Sequence, residues 1–271
     1  MLLTQIVKAK RARLEIVKDR CPIEKIQTAA EAATIRLCGQ NFPFEQALRQ
    51  EGLQLICEVK KASPSKGVIS PDYPYERIAL DYEAGGAAAI SCLTEQDYFL
   101  GDPEHLLVLS DLVKIPLLRK DFVIDEFQIY ETVALGGAAI LLIVSILDER
   151  TLRTFLSLAH SLGLSALVEA RDADEIRAAV AAGAKIIGVN NRDLRDFSVD
   201  FGNSLRLRAM LPDDCLFVAE SGVSGRADIE LLEAHDVDAA LVGEFLMRSP
   251  DIRAALSTLK GRVPAGAAEE D

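Results

Sequence analysis

The sequence predicts an α/β protein: a (β/α)8 TIM barrel with extra N-terminal helices. From residue 53 onward, eight short aliphatic or β-branched runs alternate with amphipathic segments of helical period, a pattern typical of βαβ units in a parallel sheet. These runs are almost continuously apolar, as expected for strands that are covered on both faces. Glycine followed by a small residue recurs between helix and strand at 85–87, 136–138 and 183–184. This spacing of about 50 residues indicates a repeated module of two strand–helix units.

The predicted strands occupy 53–59, 87–93, 115–120, 138–144, 164–170, 185–191, 215–221 and 238–243. The predicted helices between and after them occupy 75–84, 103–112, 125–135, 148–162, 172–182, 203–210, 225–234 and 250–259. Eight such units favour a closed barrel over an open doubly wound sheet. The open sheet also lacks its sequence signature, because no G-x-G-x-x-G follows the first strand.

The chain outside the repeat divides into an N-terminal extension and a tail. Residues 1–50 predict helices over 2–19, 22–38 and 43–50 that pack on a barrel spanning 51–260. The first of these helices carries an apolar stripe opposite a basic face, and we expect that face to be solvated rather than to bind an anion. The acidic tail, 261–271, has little to bury and is expected to be disordered.

Composition limits the classes of function. The 271 residues are 49% hydrophobic and carry a formal charge of −12, which argues against general binding to nucleic acid or to an anionic membrane. No apolar run approaches the roughly 20 residues that span a bilayer, and basic residues stand where the apolar part of a signal peptide would lie, so we expect a cytoplasmic protein. Because Asp, Glu, His and Cys do not cluster at ligand spacing, no metal and no cofactor are expected.

The first predicted strand ends in two opposite charges, Glu58 and Lys60. Alternation along a strand places both on the face of Ile56, while Cys57 points to the other face. Charges at the mouth of a core are costly unless they are paired or used in a reaction, so they indicate a site. For this segment alone, a surface ion pair is the alternative.

Polar residues follow most of the other predicted strands as well. Because active sites of these barrels lie at the carboxyl ends of the strands, we expect one pocket that contains Glu58, Lys60, Lys120, Glu169, Asn190, Arg192, Glu220 and Ser221. Two acids, two lysines and an amide that share one face predict acid–base chemistry. A partly desolvated lysine would have a lowered pKa, whereas one held by a carboxylate would keep its charge.

Two strand ends are suited to an anion. Glu220-Ser221-Gly222 and Val242-Gly243-Glu244 place glycine where a strand turns into a helix, and the loops after strands 7 and 8 of this fold often hold phosphate. Beside the Ser/Pro/Lys/Gly loop at 61–67, they predict a phosphorylated small-molecule substrate.

Taken together, these motifs resemble the indole-3-glycerol-phosphate synthase family of tryptophan biosynthesis over most of residues 1–260. The resemblance rests on Glu58-Val59-Lys60-Lys61-Ala62-Ser63-Pro64-Ser65-Lys66-Gly67, Leu93-Thr94-Glu95, Leu118-Arg119-Lys120-Asp121-Phe122, Val168-Glu169, Gly188-Val189-Asn190-Asn191-Arg192, Glu220-Ser221-Gly222 and Val242-Gly243-Glu244. It implies a carboxy-lyase that converts 1-(2-carboxyphenylamino)-1-deoxyribulose 5-phosphate into indole-3-glycerol phosphate.

The resemblance also implies roles for single residues. Lys120 would be the general acid at the sugar carbonyl, Lys60 would engage the carboxylate, and Glu169 would be base or acid in the later steps. Glu58 and Asn190 would position them. Substrate binding would fall to Ser63, Phe122, Arg192, Glu220, Ser221, Gly222 and Gly243.

The chain departs from this family in two respects. In one, Phe245 replaces the small residue common after the Gly-Glu of strand 8, which affects the shape of the phosphate loop. The other concerns the aromatic residues of the chain. It has no Trp, and its first aromatic residue is Phe42, so the ring-stacking aromatic that some relatives carry in their N-terminal helices has no counterpart here. We expect Phe122, Phe99 and aliphatic residues such as Leu142 to bind the substrate ring instead.

Two other functions stay open at this stage. A phosphoribosylanthranilate isomerase would need an inward Cys on strand 1 and an Asp on strand 6, whereas Cys57 faces outward and Asn190 ends strand 6. A catalytically silent phosphosugar-binding barrel would not need both lysines and both glutamates. We expect a monomer, and an association with other tryptophan-pathway enzymes stays open.

Overall fold

The barrel prediction is confirmed by the computed structural model, which describes residues 2–36, 42–193 and 197–262. Eight parallel strands close into a barrel in which each strand pairs with the next along the chain and the last pairs with the first. Each strand lies within its predicted range. The strands, β1 to β8, are Gln54–Val59, Ala89–Leu93, Leu117–Lys120, Ala139–Ile143, Ser165–Ala170, Ile186–Asn190, Leu216–Glu220 and Ala239–Val242.

The helices also follow the predicted pattern. Several of them begin directly after an aspartate, such as Asp102 or Asp172, whose side chain accepts hydrogen bonds from backbone N–H groups of the first turn, the usual N-cap contact. The helices, α1 to α12, are Leu2–Arg20, Ile23–Arg36, Pro43–Leu48, Tyr75–Ala84, Pro103–Leu112, Glu126–Ala134, Glu149–Ser161, Ala173–Ala182, Gly202–Arg208, Arg226–Glu233, Glu244–Met247 and Ile252–Leu259.

Three short elements were not predicted. Ala62–Ser63 and Gly67–Val68 form a small antiparallel hairpin in the loop after β1. Val144–Ile146 is a single 3-10 turn, and α11 precedes the predicted last helix. These elements are too short to carry a hydrophobic period, so sequence patterning does not detect them.

Apolar side chains fill two separate layers. One set, which includes Ile56, Leu118 and Leu167, forms the barrel core. Alternate residues of the same strands, such as Cys57 and Val168, lie in the layer between strands and helices. Cys57 therefore faces outward, as its position predicts.

The N-terminal helices contact different parts of the barrel. Phe44 and Leu48 of α3 join the barrel core, and Phe42 stacks on His160 with ring centroids 4.7 Å apart, near the start of β5. The second helix, α2, packs along α6. The first helix, α1, reaches the loops that follow β2 and β3, at the carboxyl ends of the strands.

The prediction of a solvated basic face on α1 is wrong for Lys10, Arg13 and Lys18, whereas Lys8 and Arg11 are exposed. Lys10 is only 5% exposed, and its Nζ lies 2.7 Å from Asp121 Oδ1. Arg13 pairs with Asp97, and Lys18 Nζ lies 2.8 Å from Asp125 Oδ2. The partners are on loops distant in sequence, so these three side chains dock α1 on the barrel.

Some predictions stay untested. The tail predicted at 261–271 lies outside the described residues from position 263 onward. The division of the chain into an extension over 1–50 and a barrel over 51–260 stays a prediction. Of the helices within the described ranges, none is both long and apolar enough to cross a membrane.

Candidate active site

A cavity of about 650 Å³ opens at the carboxyl ends of the barrel strands. Apart from Leu142, the residues proposed from the sequence as site residues all line it: Glu58, Lys60, Ser63, Phe99, Lys120, Phe122, Glu169, Asn190, Arg192, Glu220, Ser221, Gly222 and Gly243. The structure thus brings together side chains from six strand ends and their loops. Their placement in one cavity does not by itself assign their roles.

Glu58 and Lys60 form an ion pair inside the mouth of the barrel, with Lys60 Nζ 2.5 Å from Glu58 Oε2. Glu58 is 4% exposed, so the alternative of a surface ion pair does not apply. A Cβ atom at position 243 would lie 2.6 Å from Glu58 Oε2 and 3.0 Å from Lys60 Nζ. Glycine at position 243 therefore leaves room for this pair in the arrangement it has here.

Lys120 lies between two further carboxylates. Its Nζ is 3.3 Å from Glu169 Oε2 and 3.1 Å from Glu220 Oε2. Burial alone would lower the pKa of Lys120, but the carboxylates, Glu220 foremost, outweigh it and raise the pKa above the ordinary value. Of the two states foreseen for a site lysine, Lys120 therefore adopts the one that keeps its charge.

Glu220 is a buried carboxyl group of the cavity with a displaced pKa. Burial raises its pKa to about 7 against the opposing effect of Lys120. Within the described residues neither side-chain oxygen of Glu220 accepts a hydrogen bond, so the 3.1 Å approach of Lys120 is an ionic contact without hydrogen-bond geometry. A Cβ atom at position 188 would collide with Glu220 Oε1, which explains the glycine in the middle of β6.

The loop after β7 turns sharply where an anion site is expected. Ser221 and Gly222 both have positive φ, at 66° and 96°, a conformation that a non-glycine residue such as Ser221 adopts rarely. The Ser221 hydroxyl donates to Asn190 Oδ1 at 3.0 Å. The same oxygen accepts from the backbone N–H of Arg192 at 3.0 Å. Asn190 thereby joins the ends of β6 and β7.

Three cationic side chains surround Glu244 on this side of the cavity. Lys66, Arg192 and Arg248 each lie 3.4 Å from a Glu244 carboxylate oxygen. They come from the loop after β1, the loop after β6 and the end of α11. Their convergence gives one end of an otherwise acidic cavity a local positive charge.

An aromatic wall, formed by Phe99 and Phe122, lies along another side of the cavity. The two ring centroids are 6.1 Å apart and the rings are tilted by 41°. The expectation that Leu142 helps to bind a ring is wrong, because Leu142 belongs to the layer between strands and helices. Its neighbours Leu141 and Ile143 line the cavity instead.

Sequence reasoning missed several lining residues, among them Phe197, Val199 and Arg248. Phe197 and Val199 lie in the loop after β6, where no strand period indicates direction. Leu141 and Ile143 were missed for a different reason. In a run as uniformly apolar as 138–144, hydrophobicity does not show which alternate residues face inward.

Comparisons with known proteins agree over nearly the whole chain. A family model described as indole-3-glycerol phosphate synthase matches residues 3–259. A protein of that name from Endomicrobium trichonymphae is 49% identical over 260 residues, which cover 96% of this chain and 100% of the relative. Another, from Ruminiclostridium cellulolyticum, is 46% identical over 261 residues, which cover 96% of this chain and 99% of the relative.

More distant solved structures share the fold. KGPDC from Streptococcus mutans superposes with a TM-score of 0.60 at 14% identity, covering 78% of this chain and 97% of that one. The 3-hexulose-6-phosphate synthase from Salmonella typhimurium gives a TM-score of 0.61 at 11% identity, covering 77% of this chain and 97% of that one. At such low identity these matches support the barrel alone.

Proposed function

The chain belongs to the indole-3-glycerol phosphate synthase family, and we propose that its cavity carries out the reaction of that name with the side chains assigned below. The substrate is 1-(2-carboxyphenylamino)-1-deoxyribulose 5-phosphate. The products are indole-3-glycerol phosphate, CO2 and water. One observation supports this most strongly: two lysine–carboxylate groups lie in the same cavity as an aromatic wall and glycine-containing turns suited to phosphate.

Ring closure is the step proposed for Lys120. The ring carbon that bears the carboxylate bonds to the sugar carbonyl carbon, and the electron pair of the C=O bond moves to oxygen. Lys120 is held in its charged form by Glu169 and Glu220. A fixed ammonium group in a water-poor cavity stabilises the developing oxyanion, and it then gives that oxygen a proton.

Decarboxylation follows, and Lys60 is proposed to hold the carboxylate. The bond from the ring carbon to the carboxylate breaks, CO2 leaves, and its electron pair restores the aromatic ring. The ammonium group of Lys60 orients the carboxylate by its charge, and this attraction is lost when the carboxylate becomes neutral CO2. Glu58, 2.5 Å from Lys60 Nζ, fixes the direction of the lysine side chain.

Dehydration completes the indole. The former carbonyl oxygen takes a second proton, from Lys120 after that amine has recovered one from solvent, and leaves as water. A proton is lost from the neighbouring carbon to form the ring double bond. Glu169 is the proposed proton acceptor, because its carboxylate contacts Lys120 Nζ at 3.3 Å and faces the same cavity. Proton transfer within this contact would return Lys120 to its charged form.

The remaining site residues are proposed to bind and orient the substrate. Backbone N–H groups and hydroxyls at Ser63, Ser221, Gly222 and Gly243, with the Arg192 guanidinium, suit the phosphate end. Phe122 packs against the aromatic ring. Asn190 holds Ser221 and the Arg192 backbone in place, and Glu220 is proposed to set the charge of Lys120.

The proposal is tested by incubating the protein with the carboxyphenylamino-deoxyribulose phosphate and following indole fluorescence. The wild type is expected to form the fluorescent product. Lys120→Met is expected to lower turnover by about 10²-fold to 10⁴-fold, the range of a general acid, and still to bind inorganic phosphate. Lys114, an exposed lysine three residues before the same strand, provides the matched control, and Lys114→Met should turn over normally.

Two results would contradict the proposal. Wild-type protein that binds inorganic phosphate but yields no indole fluorescence at any pH would favour a silent phosphosugar-binding barrel. Turnover by Lys120→Met at the rate of Lys114→Met would remove Lys120 from the chemistry. The isomerase alternative gains no support, because Cys57 lies in the layer behind the strand and burial raises its pKa, which disfavours the thiolate.

The cellular setting forms part of the proposal. We propose a monomeric, cytoplasmic enzyme that works without a cofactor or metal. The formal charge of −12 disfavours binding to nucleic acid or to an anionic membrane, which supports a small molecule as its partner. Light scattering behind size exclusion tests the monomer. Co-elution with other enzymes of tryptophan biosynthesis would test the association that the sequence leaves open.

A further inference from the structure

The first helix docks on the mouth of the barrel through buried charge. Lys10 Nζ contacts Asp121 Oδ1 at 2.7 Å, where the two side chains are 7% and 0% exposed. A lysine is rarely buried to this extent unless its charge is matched. The contact therefore fixes α1 and the loop after β3 relative to each other far more tightly than an exposed pair would.

Asp121 passes this constraint to the aromatic wall. The carboxylate oxygen that contacts Lys10 also accepts from the backbone N–H of Phe122 at 2.8 Å. Its other oxygen accepts from the Thr94 hydroxyl at 2.7 Å. The backbone of Phe122 is thus held by the same carboxylate that Lys10 holds.

The loop that carries Phe99 has an equivalent anchor. Glu95, fully buried, accepts from the backbone N–H groups of Asp97, Tyr98 and Phe99 at 3.1, 2.7 and 3.0 Å. Asp97 in turn pairs with Arg13 of α1. The backbone at each ring of the aromatic wall is therefore hydrogen-bonded to a buried carboxylate. Helix α1 forms an ion pair with both of these segments.

We propose that Lys10 and Arg13 are positioning residues that fix the aromatic wall and thereby set the binding of the substrate's aromatic ring. Neither residue lines the cavity, so they act through Asp121 and Asp97. This inference rests on the function proposed above. The chain has no tryptophan, and α1 has no aromatic residue that could stack on the substrate ring. The ion pairs of α1 instead act on the ring indirectly, through the position of the aromatic wall.

A matched control lies on the same helix. Lys18 pairs with Asp125 at 2.8 Å, so it docks α1 through a contact of similar length. Asp125, however, caps α6 by accepting from the backbone N–H of Phe127 and holds neither ring of the aromatic wall. Lys18→Met therefore removes docking energy without releasing Phe99 or Phe122.

The test measures KM for the carboxyphenylamino substrate and the inhibition constant of inorganic phosphate. Lys10→Met is expected to raise KM by about tenfold to a hundredfold, since misplacement of about 1 Å can cost that much. Arg13→Met, at a half-exposed pair, should raise KM by about threefold to tenfold, and Lys10→Arg should recover much of the loss. Lys18→Met should stay within about twofold of wild type, and phosphate inhibition should be unchanged in all variants.

Loss of folded protein would give a different pattern, because it lowers the apparent kcat and leaves KM unchanged. Equal KM values for Arg13→Met and Lys18→Met would overturn the proposal, and so would parallel losses of substrate and phosphate binding. If Lys10→Met does not fold, Arg13→Met decides. Failure of the proposed function is distinguishable, because wild type itself would then form no indole product.

Discussion

The two sides of strand β3 use buried charge in opposite ways. Lys120 points into the cavity and belongs to an inward cluster with Glu58, Lys60, Glu169 and Glu220. Its sequence neighbours Arg119 and Asp121 form an outward cluster with Lys10 and Glu131, although Asp121 also borders the cavity. Alternation within β3 separates Arg119 from Lys120, and Asp121 follows the last residue of the strand.

The outward cluster is electrically balanced and its hydrogen bonds are made. Arg119 contacts Glu131 at 2.7 Å and Asp121 at 3.3 Å, and it donates to the Gln128 carbonyl at 3.1 Å. The inward cluster has three carboxylates for two ammonium groups, and neither Glu220 oxygen accepts a hydrogen bond among the described residues.

The difference indicates a division of labour. Completed buried networks rigidify a structure, whereas incomplete ones with displaced pKa values are typical of sites that react or bind. We therefore expect inward substitutions to lower the rate of chemistry. Outward substitutions should lower stability and, through α1, substrate binding.

The largest effect is expected at Glu169. Replacement of this proposed proton acceptor by glutamine should lower kcat by about 10²-fold to 10⁴-fold. The free energy of unfolding should change by much less than the roughly 3–5 kcal/mol of a broken buried pair, because Glu220 still holds Lys120 and the inward cluster has one carboxylate in excess. Steady-state kinetics and urea unfolding of one preparation check both parts. A large stability loss with normal kcat would place Glu169 with the structural groups.

Arg119→Met is expected to give the reverse pattern. It leaves Asp121 and Glu131 with fewer partners in a buried site, and breaking such a pair costs about 3–5 kcal/mol of stability. Urea unfolding at neutral pH measures the loss. Arg153→Met removes an exposed pair with Glu149 and should shift stability by less than about 1 kcal/mol. Equal losses in both variants would contradict the assignment.

A smaller, pH-dependent effect distinguishes the clusters further. The folded-state pKa of Glu220, about 7, lies above its ordinary value of 4.5. Its contribution to stability is therefore full below about pH 4.5 and is lost as pH rises through about 7. The stability of Glu220→Gln minus that of wild type should therefore increase by on the order of 1–3 kcal/mol as pH rises from 5 to 8.

The outward cluster should respond to pH with the opposite sign. Burial would raise the pKa of Asp121, but Lys10 and Arg119 outweigh it and keep the pKa below the ordinary value. Its stabilisation is present above pH 3.8 and is lost as pH falls through the folded-state pKa. Asp121→Asn should therefore be least stable relative to wild type near neutral pH. Unfolding curves at several pH values that show the same sign for both variants would contradict this comparison.

The inward cluster could be predicted from sequence, while most of the outward one could not. Glu58, Lys60, Lys120 and Glu169 follow strands whose parity fixes a common face, and a closed barrel brings common faces together. The partners of α1 lie on loops distant in sequence, and helical periodicity shows a basic face without showing what covers it. The error at Leu142 has a related cause, since both faces of β4 are apolar.

The most direct test of this division compares the adjacent residues Lys120 and Arg119. The single-turnover rate of indole formation at saturating substrate is measured for Lys120→Met and Arg119→Met and divided by the folded fraction of each protein. We expect Arg119→Met to react within about tenfold of wild type per folded molecule, and Lys120→Met to be slower by at least about 10²-fold. Equal rates for the two variants would contradict the account.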